Sequence, residues 1–358
     1  MLGPQSTGLG VYATNCAIII EKYFSCSVVS SRYIPDATSS HIASPVSVSI
    51  GEGKCAAFKR LIYSAFKFPK NSGLIYSPSH HGVFFQHRQI LTIFDIIALR
   101  YPRQHIFQYF YFKLILPILI RNSVAIITIS ESSREDIQRE YRVPREKIFI
   151  VPPGIDIDKF HPSSDLNFTK KDYLLVVGAS YPHKNILELL ENKDFWRGRL
   201  RLKIASCRGK YRETLENAVV GYGLQDSVEF MSYIDDNSLC KLYQQCSALV
   251  YPSLWEGFGI PPLEAMAGGR PVIVSDIPAH KDLMGDVPFY ITPGKPETWK
   301  RAFQELEDSA LVEKKIQQGS ELVAHYTWEK SGEKLVHTLL TVAAELSDLL
   351  RCHDGPVI

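Results

Sequence analysis

Tyr251-Pro252-Ser253-Leu254-Trp255-Glu256-Gly257-Phe258-Gly259-Ile260-Pro261-Pro262-Leu263-Glu264-Ala265-Met266-Ala267-Gly268-Gly269-Arg270-Pro271-Val272-Ile273 reads as a strand end, a glycine loop, a short helix and the start of another strand. Gly257 and Gly259 let the backbone approach a ligand, Pro261-Pro262 mark a first helical turn, and Gly268-Gly269 end the helix. A loop leading into a helix N-terminus offers N–H groups and a positive dipole end, which suit phosphate. Glu256 stands in the loop and Glu264 in the first helical turns, so both carboxylates can face one site and accept hydroxyl protons from a sugar or a ribose. Taken singly, Glu264 reads equally as a carboxylate answering the helix dipole and Glu256 as a solvated loop residue. The pair inside this glycine and proline frame is what points to function.

Outward from this stretch, short apolar runs alternate with helical patterns, the signature of parallel α/β architecture. Expected strands are Ser27–Ser30, Gly73–Tyr76, Ile90–Phe94, Val124–Ile129, Ile148–Val151, Tyr173–Val177, Leu200–Ala205, Ser227–Phe230, Ala248–Tyr251, Pro271–Ser275 and Pro288–Ile291. Pro152-Pro153-Gly154 and His161-Pro162-Ser163-Ser164-Asp165 break the pattern. The expected domains are therefore 1–165, 166–328, and a terminal helix over 329–358 that packs back on the first domain. Two doubly wound domains would face each other across a cleft, with ligands at the strand carboxyl ends.

The chain has 358 residues, enough for two cores, and a net charge of +2, so no global charge calls for nucleic acid. Residues 1–121 hold twelve Lys/Arg against four Asp/Glu, a net of +8 that leaves −6 for the rest. A basic lobe suits an anionic partner or attraction between lobes. Around Phe58–Tyr63 and Phe66–Lys70 aromatics interleave with cations, a pattern of an anionic membrane surface or of a solvated helix face. The apolar run Ile106–Ile129, interrupted by Lys113, Pro117 and Arg121, is too broken to span a bilayer and reads as a buried helix followed by a strand. Seven scattered cysteines without a C-x-x-C pair fit a reducing compartment, and the expected location is cytoplasmic, peripheral at the inner face of the membrane. The adjacent His80 and His81 have poor metal spacing and no Asp-x-Asp motif is present, so no metal and no cofactor are expected.

Two further segments carry chemistry. Gly178-Ala179-Ser180-Tyr181-Pro182-His183-Lys184-Asn185 follows a strand and opens a helix, where the Lys184 ammonium adds to the dipole field and would stabilise a departing diphosphate; an exposed helix-start lysine is the plainer reading. Ser6-Thr7-Gly8-Leu9-Gly10-Val11-Tyr12-Ala13 matches G-x-G-x-x-A, yet Met1–Gln5 is too short for the strand a dinucleotide fingerprint requires.

The Glu256–Glu264 segment resembles the E-x7-E signature of retaining, nucleotide-sugar-dependent glycosyltransferases of family 4, with mannosyltransferase-like flavour. Ser130–Ile137, Lys147–Asp156, the Lys184 loop and Tyr326-Thr327-Trp328-Glu329 extend the likeness over nearly the whole chain. It implies a GT-B fold of two Rossmann-like domains, a nucleotide-diphosphate sugar as donor, and a glycan or lipid-linked oligosaccharide as acceptor in polysaccharide biosynthesis. It makes Glu256 and Lys184 the catalytic residues. Glu264, Gly257, Phe258, Gly259, Ser180, Gly8, Gly10 and Asp95 become donor- or substrate-binding, with Glu264 on the ribose. Two departures stand out. Relatives carry a strand ahead of the Gly8 loop, so either the start lies upstream of Met1 or the domain is impaired. Phe94 in Thr92-Ile93-Phe94-Asp95 replaces a usual histidine and can neither donate a hydrogen bond nor move a proton. A catalytically impaired GT-B scaffold, or a nicotinamide-dependent dehydrogenase resting on Gly8-x-Gly10, is the alternative.

Overall fold

The computed structural model describes residues 8–30, 40–43, 73–161, 172–232 and 234–353. The chain divides into one unit of Met1–Gly154 with Trp328–Ile358 and a second of Ile155–Thr327.

In the first unit, β1 (Ser27–Ser30) and β2 (Ser40–Ala43) pair in parallel. A four-stranded parallel sheet follows, with β3 (Ile75–Ser77), β4 (Gln89–Thr92), β5 (Ala125–Thr128) and β6 (Ile148–Ile150) in chain order. The two inner strands are buried along their length, which is why Ile90-Leu91 and Ala125-Ile126-Ile127 read as unbroken apolar runs instead of alternating ones. Helix Glu131–Tyr141 starts where Ser130 accepts from the Ser133 amide at 3.0 Å, a side-chain N-cap. Helix Gly8–Tyr23 lies against the last helix, Trp328–His353, where a Cβ on Gly332 would come within 3.0 Å of Ile19. Phe58–Lys70, the expected basic-aromatic segment, lies outside the described residues, as do Ser6 and Thr7.

The apolar run after Ile106 corrects one expectation. It is helical from 106 to 121 in three pieces, Ile106–Phe110, a π-helical turn Tyr111–Ile115, and Leu116–Arg121. Phe112, Leu116 and Leu119 are buried, whereas Ile106, Phe110, Leu114 and Ile118 are 56, 54, 61 and 48% exposed. The helix is buried on one face only, because an amphipathic helix covers a stripe of its surface and leaves the opposite side to its surroundings.

The second unit carries β7 (Tyr173–Val177), β8 (Arg201–Ala205), β9 (Val228–Met231), β10 (Ala248–Tyr251), β11 (Val272–Ser275) and β12 (Phe289–Ile291) in one parallel sheet of order β12-β11-β10-β7-β8-β9. From β7 the chain builds outward through β8 and β9, then returns to the other side of β7 for β10, β11 and β12. That is a doubly wound Rossmann order, and its switch point lies between β7 and β10. The core on one side of this sheet includes Trp196 and Trp299, whose ring N–H groups donate to the Leu189 carbonyl (3.0 Å) and the Glu188 carboxylate (2.9 Å). Ile155–Phe160, which the sequence reading placed at the end of the first domain, belongs to this unit: Phe160 is buried edge-on to Tyr243 at 5.6 Å, and Gln244 Nε2 donates to its carbonyl at 3.1 Å.

Candidate active site

A topological switch point collects the loops after two neighbouring strands that wind in opposite directions. Here those loops follow β7 and β10. After β7, Gly178 turns at φ +80°, the 3-10 turn Pro182–Lys184 follows, Asn185 takes the left-handed conformation at φ +59°, and helix Ile186–Glu191 begins. After β10 comes the glycine loop and helix Ile260–Ala267, with its prolines in the first turn and Gly268 as its C-cap. The Leu254 amide donates to the His183 carbonyl at 2.8 Å, tying the loops together.

This arrangement brings Lys184 to Glu256. Lys184 Nζ donates to Glu256 Oε1 at 2.5 Å and to the Tyr251 hydroxyl at 2.9 Å, and it lies 4.9 Å from the centre of the Tyr251 ring. Only 16% of the Lys184 side chain and 11% of that of Glu256 are exposed. Burial opposes both charges, but each offsets the other: Glu256 and Tyr251 hold the ammonium above the ordinary lysine range, and Lys184 with Ser253 holds the Glu256 carboxyl below the ordinary glutamate range. The site therefore keeps one cation and one anion paired with little exposure to water.

Glu264 lies along helix Ile260–Ala267, where its Oε2 accepts from the buried Tyr243 hydroxyl at 2.7 Å. Burial pushes its carboxyl up, against the lowering effects of Tyr243 and Lys159. Gly259 caps the helix at φ +130°, a conformation an L side chain rarely adopts. Gly257 is buried, and so is Phe258, whose ring lies 5.7 Å from that of Tyr326. Ser180 Oγ donates to the Ser206 carbonyl at 3.2 Å.

The remaining expected residues lie in the first unit. Gly8 and Gly10 are in the opening turns of helix Gly8–Tyr23, not in a loop, and Gly10 is buried. Asp95 Oδ1 accepts from the Ile97 amide at 3.0 Å and so shapes the turn into the helix Ile97–Arg100. Phe94 packs edge-on to the buried Tyr12 at 5.0 Å, so the residue in the histidine's place is part of an aromatic cluster. His80 and His81 lie against Tyr111, whose hydroxyl donates to the His80 carbonyl at 3.1 Å. Among the described residues, no group of three or more His, Cys, Asp or Glu could hold a metal ion.

Three site residues escaped the sequence reading. Tyr251 closes β10 inside the quoted stretch, where it reads as one more apolar strand position. Tyr243 is on the preceding helix, and His280, in helix Pro278–Met284, packs 5.7 Å from the Tyr251 ring. No spacing rule links either to Glu256.

Two family models match the chain, "Glycosyltransferase Family 4" over residues 75–159 and "Glycosyl transferases group 1" over residues 157–321. Laid end to end they cover well over half of it. Both are models of glycosyltransferases, and together they support a chain like those of family 4. The chain is similar to the O-antigen chain mannosyltransferase RfbU of Salmonella typhimurium, at 36% identity over 229 residues, 64% of each chain. It is also similar to the O-antigen chain mannosyltransferase B of Escherichia coli, at 28% identity over 217 residues, 57% of each. The matched stretch thus spans about three fifths of the length of these relatives. Among solved structures, Anabaena HepE in complex with UDP and glucose aligns with a TM-score of 0.71 at 14% identity, covering 94% of this chain and 97% of that one. WaaG, a glycosyltransferase involved in lipopolysaccharide biosynthesis, aligns with a TM-score of 0.65 at 16% identity, covering 92 and 96%. These likenesses show the fold of the chain, which is GT-B.

Proposed function

We propose that this chain is a retaining hexosyltransferase of family 4 that moves mannose from a nucleotide-diphosphate donor, with GDP-mannose the first candidate, to a glycan or lipid-linked acceptor. The observation that carries the reading is the Lys184–Glu256 pair at the switch point, 2.5 Å apart and nearly dry. The mannosyltransferase names of its relatives support the sugar. In the reaction the bond from the sugar's anomeric carbon to the diphosphate oxygen breaks, and a bond to the acceptor hydroxyl oxygen forms on the same face. The acceptor proton passes to the departing diphosphate. Lys184 neutralises the negative charge that grows on that leaving group, so it stabilises the transition state more than the ground state. Glu256 accepts hydrogen bonds from the sugar hydroxyls, and Glu264 from the ribose. The amides of Gly257, Phe258 and Gly259, with Ser180, receive the diphosphate. Before the donor arrives, Lys184 and Glu256 satisfy each other; the donor takes over both partners at once.

The first unit is the acceptor-side unit in this reading, with Gly8, Gly10 and Asp95 as its contributors. No helix among the described residues is long and apolar enough to cross a membrane. The exposed row Ile106, Phe110, Leu114 and Ile118, on a basic stretch of chain, supports peripheral contact with the inner membrane surface, where lipid-linked acceptors reside. The test is a thermal-shift panel of GDP-, UDP- and ADP-sugars: a donor at a hundred times its Kd adds about 2.7 kcal/mol. Glu256→Ala is then expected to lose transfer by at least roughly a hundredfold. Unchanged turnover in that variant overturns the assignment, and donor binding without any transfer favours a scaffold role instead.

A further inference from the structure

His280 is completely buried, and its Nε2 has no hydrogen-bond partner. The other ring nitrogen fixes the proton. Nδ1 lies 2.9 Å from the Ser275 carbonyl oxygen, which can only accept, so Nδ1 carries the hydrogen and Nε2 presents a bare lone pair. Burial keeps the imidazole neutral against the pull of Glu256. A buried acceptor with no donor is destabilising and in native proteins calls for an explanation.

The ring's surroundings supply one. A Cβ added to Gly259 would lie 3.6 Å from His280 Cδ2 and 3.8 Å from Nε2, so the unsatisfied edge of the ring faces the glycine loop at its one positive-φ position. Any other residue at 259 would lie across that edge. On its other side the ring meets Tyr251, the residue that receives a hydrogen bond from Lys184. Ser275 completes the frame: its hydroxyl donates to the Ser253 carbonyl in the loop before Glu256. The site thus holds a neutral acceptor beneath a side-chain-free patch of backbone, next to the pair assigned to the donor.

We infer that His280 Nε2 accepts a hydrogen bond from one hydroxyl of the donor's hexose, which makes His280 a sugar-recognition residue. This rests on the donor-site reading above. A positively charged or bidentate group could hold a phosphate; a neutral lone pair cannot, and a hydroxyl is the partner it fits.

The experiment titrates GDP and GDP-mannose, and in parallel UDP and UDP-glucose, into the full-length chain by calorimetry. His280→Phe keeps a ring and removes the acceptor. His280→Asn keeps an N–H for the Ser275 carbonyl, leaves no acceptor at the position of Nε2, and serves should the Phe variant fold poorly. His280→Gln places an amide oxygen near the lost lone pair. Loss of one hydrogen bond predicts about a tenfold weaker nucleotide-sugar for the Phe and Asn variants, with the nucleotide alone unchanged within about twofold, and partial recovery in the Gln variant. Equal weakening of nucleotide and nucleotide-sugar means a structural role and overturns the inference. So does unchanged binding of both. If the unaltered chain binds neither nucleotide-sugar, the donor-site reading fails first and takes this one with it.

Discussion

Lys184 and Glu256 are each tolerable in the dry site only because the other is there. Removing one side strands a buried charge, which costs about 3–5 kcal/mol, whereas replacing both with apolar groups of similar volume is often neutral. Glu256→Gln is therefore expected to lose several times more stability in urea unfolding than the Lys184→Met/Glu256→Leu double variant, and both to lose transfer. The two glutamates respond to acid with opposite signs. Glu256 is held below the ordinary 4.5, so its contribution is present above that pH and is lost as the pH falls through its lowered value. Glu264 is raised above 4.5, so its contribution is present below that pH and is lost as the pH rises through its raised value. Stability against pH for Glu256→Gln and Glu264→Gln should differ from the parent in opposite directions across this window. Lys184 and Glu256 were legible in the sequence because each follows a strand end within a glycine-marked loop. Tyr243 and His280 were not, since they reach the same place from neighbouring helices that only the folded sheet brings alongside.

At the scale of elements, the strands were legible to within two residues where they are buried on both faces, as in Tyr173–Val177 and Ala248–Tyr251, because such strands are unbroken apolar runs. The pair partner Ser40–Ala43 was not, being short and flanked by polar residues. The helix after Ile106 misled for a physical reason: its apolar content is high all round, and the π turn shifts the phase that would separate a buried stripe from an exposed one. In a regular α-helix positions four apart drift round the axis; a wider π turn pulls the row back, which keeps Ile106, Phe110, Leu114 and Ile118 on one side. Replacing these four by serine should abolish co-sedimentation with vesicles containing anionic lipid while leaving nucleotide-sugar binding intact; undiminished vesicle binding would refute the membrane role. In the glycine loop, Gly259→Ala must adopt φ +130° or move the helix start, an expected loss of about 1–3 kcal/mol in urea unfolding.

Across the whole molecule, the last helix is distant in sequence from the helix it covers. Ile19 fills the space that Gly332 leaves, so Gly332→Val should overpack this junction and lower stability by about 1–3 kcal/mol, read as an earlier thermal transition. Because Trp328–Ile358 belongs with Met1–Gly154, the second unit is inserted in the first, entered after Gly154 and left after Thr327. Its two ends are neighbours: the Ile155 amide donates to the Tyr326 carbonyl at 2.8 Å, and Ile155 bridges Thr327 in parallel. A guest whose termini already lie side by side can be excised by joining the host across the gap, or recut at a surface turn and closed on itself as a circular permutant, without stretching any backbone.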